Sequence, residues 1–331
     1  MSGESWRKFF QAGKETVYGT PVAATRREYF MPDSNLTRAR TVNRVPASTG
    51  TRDQIVDAKT RAVTAAGSVS MMLGANEILE LLLMCIKGAV TPTTTLGAST
   101  WVFTPGTTLD SGTLEWYDGY RAWQSAGVYV NQLRIQRGAG VDSDITVQAD
   151  LFGKDAIVMG GGMTPALTER VPDTIAGWET AIYIDAFGAT AGTTLLSNTL
   201  IAADLTINNN LGRKYYGDDT VSTGQVTIGA IEITGQFTFE ANAAGYAEYQ
   251  NWDAATKRLV RLQFGNNIIV GSAAAKLTVN VDIPGVWEVV DLTPEDANTK
   301  VYRFNYGYVR DPTNGWPVRF TVINGRTTAW T

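Results

Sequence analysis

The chain has 331 residues, 44% of them hydrophobic and 18% charged, with a formal net charge of −4 at neutral pH. That is enough apolar matter for a sizeable core and too little charge for a disordered chain, and the slight acidity argues against a basic nucleic-acid-binding surface. Histidine is absent and Cys85 is the only cysteine, which excludes His-based triads, His metal sites and intrachain disulfides.

Taken in chain order, Met1–Phe10 carries Glu4, Arg7 and Lys8 with no apolar stretch behind them, so it reads as an arm and not as an export signal. Thr37–Thr64 is long, polar and rich in Arg, Thr and Asp, and is expected to be a functional loop. Gly67–Leu73 alternates small or polar with apolar residues, the period of a strand with one buried face. Asn76–Lys87 is the clearest helix, with Asn76 as N-cap, Glu77 and Glu80 as dipole-matching charges and Gly88 as the stop. Its apolar run is interrupted by Glu80 and is far short of the about 20 residues that a membrane span needs. Ala89–Thr100 has the composition of a linker. Strands are expected at Gly127–Gln136 and Asp144–Leu151, followed by a hinge around Gly160-Gly161-Gly162.

The second half repeats the habit. Asn208–Gly224 is a second long polar segment, and Gly235–Glu240 is a strand that runs into a second helix, Ala243–Lys257, with Tyr246, Tyr249 and Trp252 at three-residue spacing. Further strands are expected at Arg258–Phe264, Lys276–Ile283, Thr299–Tyr306 and Pro317–Ile323. Gly67 and Gly235, each opening a strand that leads to a helix, lie 168 positions apart. Thr146–Gly153 resembles Val318–Gly325 at offset 172, and Val128, Tyr129 and Arg137 match Val301, Tyr302 and Arg310 at offset 173. A near-constant offset of half the chain predicts a duplicated β-rich unit.

The search for chemistry is negative. Asp218-Asp219 reads as a solvated turn, since no second acidic cluster stands at metal-loop spacing. The glycine triplet lacks the frame of a phosphate loop. Cys85 lies on an apolar helix face and reads as core, and no Gly-x-Ser-x-Gly elbow is present. The nine tryptophans are scattered, as in cores and interfaces, and do not cluster beside paired carboxylates as a sugar site would require. No catalytic residue, cofactor or metal is expected.

The most specific feature is Ala12–Val22, which contains Gly-x-Glu-x-x-Tyr-Gly-Thr-x-Val and is followed by Tyr29-Phe-Met-Pro32, a polar segment, and a Gly-led strand running into an apolar helix. This order resembles the tail tube proteins of long-tailed bacteriophages. The departures are read as inserts at 89–127 and 285–300. The resemblance implies a structural, non-enzymatic virion protein, made in the bacterial cytoplasm and without membrane insertion. Such proteins form rings that stack into a hollow tail tube, through which DNA passes. The implied fold is mainly β: two tandem tube-type β-sandwich or barrel domains, each with one short helix on the outer side of a lumen-lining sheet. The expected division is an arm at 1–35, a first tube domain at 36–157, a linker at 158–178 and a second tube domain at 179–331. The doubled domain favours trimeric rings with pseudo-sixfold symmetry over hexameric ones. The implied partners are further copies, stacked rings, a tape measure protein and a tail terminator, with DNA only in transit.

Polar strand positions supply the expected lumen face: Ser68, Ser70, Thr146, Gln148, Asp150, Gln236, Thr238, Glu240, Thr278, Asn280 and Asp282. They are neutral or acidic, as a duct that must not grip phosphates requires. The expected ring-to-ring contacts are Arg44, Arg52, Asp53, Asp57 and Lys59 in one polar segment and Arg213, Lys214, Asp218 and Asp219 in the other. The alternatives are another β-rich virion protein, such as a tail terminator or capsid decoration protein, and a carbohydrate-binding β-sandwich.

Overall fold

The computed structural model describes residues 4–140, 143–169, 171–218, 220–272 and 274–330. Period-two alternation turns into strands along most of their length, and the chain is mainly β. The first half contains β1 (Phe9–Lys14), β2 (Arg26–Glu28), β3 (Asn35–Pro46), β4 (Ile55–Met72), α1 (Leu79–Cys85), β5 (Thr93–Thr95), β6 (Ala98–Phe103), β7 (Gly112–Tyr117), β8 (Ala122–Arg137), β9 (Ile145–Gly153) and β10 (Asp155–Val158). The second contains β11 (Thr180–Ala186), β12 (Leu200–Asn208), β13 (Gly212–Lys214), β14 (Gln225–Thr227), β15 (Glu232–Glu240), α2 (Ala243–Asp253), β16 (Arg258–Val270), β17 (Ala275–Asp291), β18 (Glu295–Asp296), β19 (Thr299–Tyr308) and β20 (Arg319–Asn324).

Two long strands organise everything else. The first part of β8 lies between β7 and β10, and its second part lies between β9 and β12. The first part of β17 lies between β16 and β20, and from Gly285 onward it pairs with β19. β4 joins β9 to β3, and β15 joins β19 to β12. β1 flanks β7, and β11 flanks β16. The order β3-β4-β9-β8 therefore recurs as β12-β15-β19-β17, and β1-β7-β8-β10 recurs as β11-β16-β17-β20. A register shift even falls at matching places, between Val130 and Gln132 in β8 and between Trp287 and Val289 in β17.

These pairings align Gly67 with Gly235, the 168-residue offset read from the sequence. They change the other two alignments. The counterpart of β9 is β19 and not β20, and β8 corresponds to β17. The segment at 285–300 is therefore no insert, because it carries the end of β17. The segment at 89–127 is an insert only in part: β5 and β6 have no counterpart in the second half, whereas β7 and the start of β8 correspond to β16 and β17.

The halves meet at two antiparallel joints, β8 with β12 and β6 with β20. One continuous core runs through both, from Phe10 and Leu82 to Phe237, Val279 and Trp330. α1 packs against β8 and α2 against β17. Both helices are shorter than expected. α1 starts at Leu79 without a side-chain cap, and Asn76 instead donates to Asp173 Oδ2 at 2.8 Å. α2 is capped by Asn242, whose side chain accepts from Gly245 N–H at 2.9 Å. Glu77 and Glu80 do not sit in solvent at a helix end. They are buried in an ionic cluster, with Arg26 3.1 Å and Arg326 2.6 Å from Glu80.

Candidate functional site: a polar sheet face, a projecting hairpin and two open edges

The eight strands β3-β4-β9-β8-β12-β15-β19-β17 form one sheet whose two faces differ in kind. One face is core: Val69, Met71, Val147, Ala149, Leu133, Ile135, Leu205, Ile207, Phe237 and Phe304 are all 2% exposed or less. The other is polar and open. Cross-strand registry lines up Ser68, Asp150, Gln132 and Asn208 in one row, with Ser70, Gln148, Arg134, Thr206 and Thr234 in the next. A third row runs through Thr146, Gln136, Asp204, Gln236 and Asn305. All these side chains are half-buried or exposed.

Ser68, Ser70, Thr146, Gln148, Asp150, Gln236 and Thr238 thus share a single face, and Glu240 is half-exposed at the end of β15. Hydrogen bonds tie neighbours along it: Gln148 Nε2 donates to Ser68 Oγ at 3.0 Å and Gln236 Nε2 to Asn305 Oδ1 at 3.1 Å. Arg134 forks onto Asp204 across the β8–β12 joint, so this arginine is neutralised in place. Sequence reading missed Gln132, Arg134, Asp204, Thr206 and Asn305. β12 was not singled out as a strand, and β8 alternates irregularly where its register shifts.

Three expected members do not belong to this face. Thr278, Asn280 and Asp282 lie in the first part of β17, which is in the other sheet with β16 and β20. They are 6%, 8% and 0% exposed. Asp282 stands between Arg261 and Arg319, at 2.5 and 2.7 Å, and the two guanidiniums cover it. A strand that passes from one sheet to another keeps its alternation while the surroundings of each face change.

The polar segment Thr37–Thr64 is a hairpin and not a loop. β3 and β4 pair in antiparallel register from Asn35↔Ser68 out to Pro46↔Ile55. Beyond Thr41 and Ala62 the ribbon has almost no cover on either face. Val42, Ile55 and Val56 are 43%, 53% and 53% exposed, and Arg44, Arg52, Asp53, Asp57 and Lys59 all face solvent. The second segment braces the hairpin's root. Val63 N–H donates to Val221 O, and Arg213 donates to Ala65 O at 3.0 Å while its guanidinium stacks on Phe152 at 4.4 Å. Arg213 is therefore engaged within the chain. Lys214 and Asp218 are exposed, and Asp219 lies outside the described residues.

The N-terminal motif is part of the scaffold. Glu15, 5% exposed, accepts from Gly19 N–H, Ser111 Oγ, Thr113 Oγ1 and Gly127 N–H at 2.7–2.9 Å. Tyr18 stacks on Tyr129 at 5.7 Å. Gly127 has φ +65°, and a Cβ there would meet the Tyr18 ring at 2.7 Å. One carboxylate thus ties the turn after β1 to β7 and β8. β1 itself pairs with β7, so Phe9 and Phe10 belong to a sheet and not to a free arm.

Among the described residues no group of three or more Asp, Glu or Cys is placed to hold a metal ion, and no helix is long and apolar enough to cross a membrane. Among the described residues both ends of the eight-strand sheet are open edges. β3 pairs only with β4, and β17 beyond Gly285 pairs only with β19.

A wide antiparallel sheet with one wet face, a protruding ribbon and open ends is the form of a subunit built to assemble. Residues 5–275 match the family model described as phage tail tube protein, and the chain belongs to that family. It is a structural protein of the bacteriophage virion tail. No curated protein matched the chain.

Proposed function

We propose that the chain is a doubled tube subunit whose rings stack into the hollow tail tube that delivers viral DNA. The two units are the recurring strand sets, the first taking in β1 as well as 36–157 and the second spanning 179–331, joined by the linker at 158–178. Copies assemble as trimeric rings with pseudo-sixfold symmetry, a hexamer being the other closure. The reading rests on one observation above all: the polar face runs without a break across the β8–β12 joint, so the two halves present a common wall.

In that wall Ser68, Ser70, Thr146, Gln148, Asp150, Gln236, Thr238 and Glu240, together with Gln132, Asp204 and Asn305, line the lumen. The hairpin residues Arg44, Arg52, Asp53, Asp57 and Lys59, with Lys214 and Asp218 beside them, meet the next ring. A tape measure protein fills the bore before DNA does, and a terminator ends the stack. Negative-stain microscopy of the expressed protein tests this. Hollow rods with threefold or pseudo-sixfold cross-sections are expected. Single rings that never stack would favour a terminator, and monomers under every condition would overturn the reading.

A further inference from the structure

We propose that the tail at residues 324–330 is a latch between the two halves that opens as pH rises: it stays shut over the carboxyl groups of Glu28, Glu77 and Glu80, and it lets water in when they ionise together. The latch belongs to the single chain and does not depend on rings. Its geometry starts from the way the chain enters and leaves its second half at one place. The linker passes the turn before α1, where Gly74 bridges Thr174, Ile175 N–H donates to Leu73 O at 2.8 Å and Asn76 Nδ2 donates to Asp173 Oδ2 at 2.8 Å. The tail returns to the same turn directly after β20. There Arg326 donates to Asn76 O and stands 2.6 Å from Glu80. Buried Asn324 accepts from Trp101 Nε1 at 3.0 Å and donates to Ala75 O at 2.7 Å. Thr25 Oγ1 donates to Trp330 O, and the buried Trp330 ring shares a cavity of about 10 Å3 with Glu28, Glu80 and Met84, room for one water.

Beneath the tail the charges do not balance. Arg26 lies 3.6 Å from Glu28, 3.9 Å from Glu77 and 3.1 Å from Glu80, and Arg326 adds a second cation. Asp173 faces Glu77 from the linker, and Tyr29 stands beside it on the strand side. Two guanidiniums cannot neutralise four carboxylates, and an uncompensated buried charge is costly, so protons make up the difference. Burial, opposed by Arg26, raises Glu28 above its ordinary value, Glu77 to about 7 and Glu80 well above the glutamate range. Burial outweighs the attraction of the arginine, so an opening that hydrates these acids loosens their hold on the protons. Linkage then fixes the sign. The shut state binds more protons, is fully favoured below about 4.5 and loses ground as pH rises through 7.

The tail is the part that gives way. Among the groups around the acids, β2 is held by its pairing with β1, and α1 by its packing on β8. Beyond Asn324 the tail is in no strand or helix, and Gly325, Thr327 and Thr328 are exposed on either side of the inserted Arg326. A segment fixed by two or three side chains opens at lower cost than a paired strand or a packed helix. Since β20 runs directly into it and β20 is the partner of β6, the latch also sets how firmly that joint between the halves is held.

Trypsin reads the latch directly. Cleavage after Arg326 needs that side chain out of its seat, and it releases residues 327–331 as a loss of mass. Cleavage at the exposed Arg52, in the turn between β3 and β4, calibrates the protease at each pH. In the full-length chain the ratio of the two rates should rise roughly tenfold between about pH 6.5 and pH 8.5. Glu28→Gln with Glu77→Gln leaves Glu80 and Asp173 to balance the two arginines, so the ratio for this double variant should stay flat. Hydrogen exchange, corrected for its intrinsic rate, should show residues 325–330 losing protection over the same window while Leu79–Cys85 keeps its own. A wild-type ratio that ignores pH, a double variant that rises as steeply as wild type, or a tail and α1 that lose protection together would each overturn the latch. If the double variant does not fold, exchange in the wild type decides. Every outcome is read on the single chain, so the tube reading stands or falls separately.

Discussion

Asp282 and Glu77 are both buried carboxylates, and their surroundings set opposite expectations. Asp282 is 0% exposed and held by two arginines from neighbouring strands. Removing it leaves both guanidiniums facing each other without a counter-ion. Asp282→Ala should cost about 3–5 kcal/mol, read as an earlier denaturant midpoint. Glu77 faces Arg26, Glu28, Glu80 and Asp173 in the cluster at the base of α1. Burial, opposed by Arg26, raises its pKa to about 7. The folded state therefore holds its proton more tightly than the unfolded chain does. The stability this contributes is complete below about 4.5, the ordinary value for glutamate, and is lost as pH rises through 7. Glu77→Gln cannot lose that proton, so its melting temperature should fall less than wild type's between pH 5 and pH 8. Parallel melting curves across that window would show that Glu77 does not titrate there.

At the scale of elements, legibility followed burial. Strands with one dry face, such as Asp144–Leu151, announced themselves by alternation, and so did Gly235–Glu240. The β3–β4 ribbon did not, because neither of its faces is covered within the chain and nothing in its sequence has to alternate. β17 alternates only from Lys276 to Ile283; Pro284-Gly285-Val286-Trp287 breaks the period where the strand leaves one sheet and enters another, so its continuation to Asp291 was not legible. The repeat was found at Gly67 and Gly235 and then lost. β5 and β6 have no counterparts in the second half, and across them the offset falls from 168, at Gly67 and Gly235, to 157, at Val130 and Trp287. The motif at Gly13–Thr20 was visible, but its work as an anchor for Glu15 needed the positions of Ser111, Thr113 and Gly127.

The ribbon also carries an element-scale prediction. A two-stranded hairpin is marginal alone in water, and this one extends about 20 Å beyond its root at 3.4 Å per residue. Its exposed Val42, Ile55 and Val56 suit a contact with the next ring in the proposed tube. Joining Arg40 to Val63 through an Asn-Gly turn removes the ribbon and keeps its root against Val221. The melting temperature should scarcely change and rings should still form, but their stacking should fail. Rods of normal length from this variant would remove the hairpin from the ring-to-ring contact.

For the whole molecule, the proposed function asks what the polar face would do to a polyanion sliding past it. Asp150, Asp204, Glu232 and Glu240 sit on that side of the sheet with Arg134 and Arg303, and Arg134 is already bound to Asp204. Every cation that pairs with a phosphate releases counterions and adds affinity that DNA must later give up. In the proposed tube, a wall of hydroxyls, amides and acids would offer few such pairs, so that transit would be fast because binding is weak. Gln148→Lys with Asp150→Lys inverts this at two positions that both point away from the core. Repeated in every copy along the tube, it makes a continuous basic stripe. Rods should still assemble, because neither side chain packs in the core or at an open edge. Purified rods should then retain double-stranded DNA at low salt and release it as salt rises, and infectivity should fall although particle number holds. Unchanged infectivity, with no DNA retained even at low ionic strength, would place this face somewhere other than the bore.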